Sequence, residues 1–149
     1  MSESELISSL YLPVEGTKLV LPNVSVAEVI EYTKPQEAEG PEYFLGNIMW
    51  RGIQVPLLSY EVANGQEKPA RNTQARIAVI NSVGLDNQKL PFSAILTQGL
   101  PRLVKVSKDI IQEEEQSDSP AEHSRIRVDG EYAVIPSLEY LESLAIKLA

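Results

Sequence analysis

Cysteine is absent from the 149 residues, which excludes disulfides, thiol nucleophiles and thiolate metal sites. Histidine occurs once, so no two-histidine metal site can form and acid–base chemistry has one imidazole to use. Positive charge is scarce: 13 Lys and Arg stand against 21 Asp and Glu, a net charge of −8 with a pI near 4.7. Phosphate backbones and anionic membranes both need clustered bases, so nucleic acid and membrane-surface partners are not expected. No apolar run approaches the ~18 residues of a membrane span. The first residues, Met1-Ser2-Glu3-Ser4-Glu5, are acidic where a signal peptide would be basic and then apolar. These absences lead to the expectation of a cytoplasmic, soluble, acidic protein with no metal, no cofactor and no direct membrane insertion.

What is present is a set of short apolar runs punctuated by ten Pro and eight Gly. Strands are expected at Ile7–Leu12, Lys18–Leu21, Ile53–Leu58, Arg76–Ile80, Phe92–Leu96, Leu103–Val106, Arg125–Val128 and Tyr132–Ile135. Many short strands at close spacing predict an all-β barrel or sandwich. Val24–Ile30 reads as one or two helical turns capped by Ser25. The C-terminal segment reads as a helix, with Ser137 at the N-cap and Glu139 and Lys147 placed to suit the helix dipole. Leu138, Leu141, Leu144 or Ala145, and Leu148 share its apolar face.

Two stretches read as loops. Asn64–Gln74 is polar and carries Asn64-Gly65 and Lys68-Pro69 as breakers. Gln112–Glu122 holds Glu113, Glu114, Glu115, Asp118 and Glu122 without a base, and the rest of the chain carries only −3. A contiguous acidic tract repels itself and favours solvated loop, and its spacing lacks the turn glycine of a calcium loop. A weak half-repeat links Gly52-Ile53-Gln54-Val55-Pro56 to Gly130-Glu131-Tyr132-Ala133-Val134-Ile135-Pro136. Each reads as turn, strand, proline and a polar-capped segment, with Lys18–Leu21 and Lys89–Phe92 about forty residues before them. Two similar β units packed together, with approximate halves 1–70 and 71–149 between which strands could exchange, fit this pattern in one domain spanning residues 1–149.

Chemistry is thin. His123 follows the acidic tract in Ala121-Glu122-His123-Ser124, with no Gly-x-Ser-x-Gly elbow, and reads as a solvent-facing loop histidine. No glycine-rich phosphate loop occurs. The expectation is a protein that is not an enzyme. The segment Leu19–Gly65 is more particular. Gly46 and Gly52 bracket an apolar strand, and Arg51 sits at the turn into the next strand. Trp50, the only Trp, lies beside it. A Trp–Arg pair at a strand end has the composition of a binding hot spot, and equally of a core Trp beside a surface Arg.

Three elements carry a resemblance: Leu21-Pro22 with Val26, Glu28, Val29 and Ile30; Tyr43 with Gly46; and Arg51-Gly52 with Pro56. The chain resembles the CheW-like domain of bacterial chemosensory adaptors over its whole length, most specifically over residues 19–58. The resemblance implies a mainly β fold of two small SH3-like five-stranded β-barrels side by side, with a short helix and a C-terminal helix. It implies a non-catalytic scaffold that couples the cytoplasmic tip of a methyl-accepting chemoreceptor to the regulatory domain of a CheA-type histidine kinase. The partner-binding positions it implies are Val26, Glu28, Gly46, Trp50, Arg51 and Gly52, in a groove between the barrels. Glu28 would pair with Arg51 or with a receptor cation. Many members carry Asn-Leu-Arg-Gly at the turn, where this chain has Met49-Trp50-Arg51-Gly52, and Asp-Leu where it has Ser59-Tyr60. Those departures resemble the ChpC-like group of type IV pilus chemosensory systems, which control twitching motility. At this length no receiver domain follows, so a phosphorylation-switched CheV-like adaptor is not expected. The competing readings are a small-molecule sensor or competitor of the same fold, and a hydrolase built on His123.

Overall fold

The computed structural model describes residues 6–70, 73–83, 90–107, 111–115 (backbone only), 119–128 and 130–148. Eleven strands are present among these. They are β1 (Leu6–Val14), β2 (Thr17–Pro22), β3 (Val26–Glu31), β4 (Phe44–Trp50), β5 (Ile53–Leu58), β6 (Arg76–Asn81), β7 (Phe92–Leu96), β8 (Arg102–Ser107), β9 (Ile111–Glu115), β10 (Glu122–Val128) and β11 (Glu131–Pro136). Two α-helices, α1 (Tyr60–Ala63) and α2 (Leu138–Ile146), each follow a strand that ends a hairpin. No helix among the described residues is long and apolar enough to cross a membrane.

The strands form two sheets, ordered β8-β1-β2-β11-β10-β9 and β3-β6-β7-β5-β4. The sheets do not follow the two halves of the chain. β1 and β2 lie with the C-terminal strands, and β6 and β7 lie with β3, β4 and β5. Both sheets are curled. In the first, Val106 of β8 and Ile126 of β10 line one small apolar hollow, although a flat sheet would hold strands four steps apart roughly 19 Å from each other. In the second, the edge strands β3 and β4 meet through side chains. The isolated antiparallel bridge Gln36↔Asn47 adds main-chain contact along the same seam.

Alternation along the strands divides the core into layers. Tyr11, Val20, Val106, Ile126, Val128 and Ala133 fill the inside of the first sheet. Ile48, Trp50, Val55, Leu57, Ile77, Val79 and Ala94 fill the inside of the second. The residues between them in sequence point the other way. Leu10, Leu12, Leu19 and Leu21 meet Ala78, Ile80, Ile95 and the α2 residues Leu141 and Leu144 in a shared core. Central strands are therefore apolar on both faces, which accounts for runs such as Ile77-Ala78-Val79-Ile80.

The half-repeat corresponds to a shared local geometry. β5 and β11 each follow a hairpin turn, run parallel to one neighbour (Leu57↔Ala94 and Val134↔Leu19), and lead into a serine that caps a helix. Ser59 Oγ accepts from Val62 N at 3.3 Å, and Ser137 Oγ accepts from Tyr140 N at 3.3 Å. Lys89, which belongs to the same reading, lies outside the described residues.

Three expectations need correction. Val24–Ile30 is not helical: a single 3-10 turn at Asn23–Ser25 is followed by β3, and Ser25 caps nothing. The β-branched Val26, Val29 and Ile30 suit a pleated strand, and the ladder to β6 takes up their main-chain groups. The acidic tract is not all loop. Its start forms β9, paired with β10 in a register that sets Glu115 opposite Arg125, so the first sheet has six strands rather than five. Residues 116–118 of the tract lie outside the described residues. His123 sits in β10 rather than in a loop, although its side chain is exposed.

Candidate functional site

The turn between β4 and β5 is where sequence and geometry converge. Arg51 and Gly52 both have positive φ, +49° and +79°, as a two-residue hairpin turn of the primed type requires. Gly52 adopts this at no cost, whereas Arg51 is the one described non-glycine residue that does so. Trp50, the residue before the turn, points inward and is only 7% exposed. Its ring meets Phe92 edge-on at 4.7 Å.

Glu28 reaches this turn from β3. Its Oε1 accepts a 2.8 Å hydrogen bond from Trp50 Nε1 and lies 3.2 Å from Arg51 Nη2. The Arg51 guanidinium also lies over the Trp50 ring at 4.8 Å. One carboxylate oxygen thus holds a buried indole and an exposed guanidinium together. The Arg51 side chain keeps 65% of its surface in water and Glu28 keeps 41%, so the ion pair itself contributes about 0–1 kcal/mol. The indole bond is charge-assisted and better sheltered, and it is the stronger fixing of Glu28. Trp50 is thus core and Arg51 surface, and Glu28 joins them.

Val26 lies two residues before Glu28, beyond a bulge in the β3–β6 ladder, and packs partly buried against the shared core. It thus borders the core that the two sheets share. Met49 and Ile53 on the same hairpin are exposed, and Val24, at 84%, is the most exposed of the large apolar side chains described. Gly46 does not join this surface. It is buried, four residues from Trp50 along β4, beneath the segment that contains Gln36. Sequence reasoning missed Phe92, whose only signal was its place at the start of a strand. It also missed Gln36, which reads as loop in Lys34-Pro35-Gln36-Glu37.

Elsewhere, polar groups are taken up internally. A cleft of about 350 Å³ in the first sheet is lined by Tyr60, Asn64, Glu122, Arg125 and Tyr132, among others. Asn64 Nδ2 donates to Glu122 Oε2 at 2.9 Å, and Asn64 Oδ1 accepts from Ala121 N at 2.9 Å. Arg125 Nε donates to Glu122 Oε1 at 2.8 Å, and Tyr60 OH donates to the Ala121 carbonyl at 3.1 Å. Burial first, and then the Glu122 and Glu61 carboxylates, push the Tyr60 phenol well above its ordinary pKa. These bonds clamp α1 to the strand entering β10. His123 Nδ1 lies 3.4 Å from Ser124 Oγ. The adjacent Glu122 carboxylate is engaged by Arg125 and Asn64, so the arrangement is not that of a nucleophilic triad.

Comparison with curated protein sequences gave no match. Among solved structures, the fold is similar to the scaffolding protein TtCheW from Thermoanaerobacter tengcongensis. The TM-score is 0.76 at 15% sequence identity, covering 89% of this chain and 90% of that one. The family model for the CheW-like domain matches residues 9–144. With nearly the whole chain matched, and with the two-sheet fold that the resemblance implied, this protein belongs to the CheW-like domain family.

Proposed function

We propose that this protein is a non-catalytic adaptor of a chemosensory system, acting in the cytoplasm. It would couple the tip of a methyl-accepting chemoreceptor to the regulatory domain of a CheA-type histidine kinase. Membership of the CheW-like family supports the class of function. The observation that carries the site is the Glu28 clasp, which presents Arg51 outward on a turn locked to a buried Trp. A cation held in place by a carboxylate and an indole loses little freedom on binding, and arginine beside an aromatic is the usual make-up of an interface anchor. Val26 and the exposed Met49 and Ile53 supply apolar contact around it.

Titration of the protein against the kinase regulatory domain, and in parallel against a receptor-tip fragment, tests this reading. Saturable binding to both is expected. Arg51→Glu, which sets two carboxylates side by side at the turn, should weaken at least one of them by about tenfold or more. Undiminished binding of that variant to both partners would overturn the site, and binding of the native chain to neither would overturn the function. The Trp50 turn and the Ser59-Tyr60-Glu61 sequence favour placement with the ChpC-like adaptors of type IV pilus systems. In that case, loss of the protein impairs twitching and leaves swimming intact.

A further inference from the structure

Gly46 lies in the middle of β4 with φ at +123°, and a Cβ built on it would stand 2.4 Å from the Gln36 carbonyl oxygen and 3.0 Å from Pro35 Cβ. No real Cβ approaches a main-chain oxygen so closely, and the Gln36 carbonyl is backbone that cannot swing aside. The contact exists because the chain after β3 crosses β4 at this point. Gln36 N donates to the Asn47 carbonyl at 2.7 Å, and Asn47 N donates back to Gln36 at 3.0 Å. Those two bonds fasten one end of the seam between the edge strands of the second sheet. The other fastening is Glu28, which ties β3 to β4 through Trp50 and to the turn through Arg51. Four residues of strand, roughly 13 Å, separate Gly46 from Trp50.

From this geometry we infer that Gly46 is a positioning residue. By admitting the Gln36 strap it closes the sheet, and closure holds Glu28 within reach of Trp50 and Arg51. Gly46 therefore serves the binding turn without touching a partner, because its own surface is buried under residues 35 and 36. A side chain at position 46 lifts the strap, parts β3 from β4 and frees Arg51 to wander from its presented position. The consequence for binding rests on the adaptor reading above. The consequence for Glu28 does not.

The experiment follows the Trp50 indole Nε1–H resonance in the free protein, which reports its bond to Glu28 without any partner. Gly46→Ala should shift this resonance in the same direction as Glu28→Gln does, and should weaken the partner titration by about tenfold or more. Gly16→Ala is the control, since Gly16 also has positive φ (+81°) but has open space where its Cβ would go. It should leave both readouts unchanged. Gln36→Pro removes one strap bond without a clash at position 46 and should reproduce the indole shift. It decides the matter if Gly46→Ala does not fold. A folded Gly46→Ala with an unmoved indole resonance would overturn the inference, and if its binding were lost all the same, Gly46 would be a direct contact. Failure of both variants to fold beside a folded Gly16→Ala would also overturn it, because the seam would then carry the whole fold. If the native protein binds neither partner, the adaptor reading falls while the indole comparison still answers the question about Gly46.

Discussion

Arg51 shows how much one residue carries and how separable its roles are. Its backbone is in the left-handed region, which costs a side-chain-bearing residue about 1 kcal/mol relative to glycine. Its ion pair with Glu28 is exposed and recovers about that much at most. Arg51→Gly should therefore leave stability within about 1 kcal/mol of the native chain, since relief of strain offsets the lost pair. The same change should weaken partner binding by about tenfold or more, because the presented cation is gone. Urea denaturation followed by Trp50 fluorescence reads the first quantity, and a binding titration reads the second. A loss of several kcal/mol would mean that the turn is a folding element before it is a binding one. The Arg51-Gly52 turn was legible in sequence because a glycine at the end of an apolar run announces it. The acceptor of the Trp50 indole was not, because Glu28 lies 22 residues away and meets Trp50 only when the sheet curls.

At the scale of elements, local chemistry predicted best where the chain's own neighbours decide the outcome. α2 begins at its serine cap, has Glu139 in its first turn, and buries Leu141, Leu144 and Ala145 on one face. Ser137→Ala removes the bond to Tyr140 N and leaves that amide without its cap. It should lower the unfolding free energy by about 1 kcal/mol with an unchanged denaturant slope, as measured by chemical denaturation. No effect would mean that packing of the apolar face holds α2 without its cap. β3 and β9 were misread because pairing with another strand, not their own residue pattern, decided them. Val26, Val29 and Ile30 fit either a short helix or a strand until β6 offers its ladder. The acidic run of β9 reads as solvated loop until β10 offers its ladder.

The whole molecule is bound together by its shared core. Leu10, Leu12, Leu19 and Leu21 from one sheet and Ala78, Ile80 and Ile95 from the other occupy a single cluster with α2, so the two sheets cannot part without exposing it. Tyr60, only 1% exposed and also in that cluster, ties this core to solution pH. Its phenol is held neutral by burial and by nearby carboxylates, so the folded state binds the proton more tightly than the unfolded chain does. Its stabilising contribution is complete below the ordinary phenol pKa of about 10 and is lost progressively as pH rises beyond that. The urea midpoint should be level from pH 7 to about 9 and fall above about 10. Tyr60→Phe should start lower by about 1 kcal/mol, for the lost bond to Ala121, yet fall less steeply in alkali. A smaller slope would remain, because burial also raises the Tyr43 phenol. Equal slopes in the two proteins would overturn the assignment.

Sequence alone determined the β-rich class, eight of the strands to within two or three residues, the capped C-terminal helix, the turn with its exposed Arg51, and the family. These depend on period-two alternation, on Gly, Pro and Ser at fixed offsets, and on motifs contained within a few tens of residues. Tertiary structure decided the rest. It assigned the first two strands to the C-terminal sheet, turned the start of the acidic tract into an edge strand, and buried Gly46 beneath the segment that contains Gln36. It also brought Glu28 to Trp50 across the edges of a curled sheet. The physical reason is common to all four. A strand's neighbours are chosen by hydrogen-bond ladders and apolar faces that other parts of the chain supply, and no residue pattern within a strand records which partner will lie beside it.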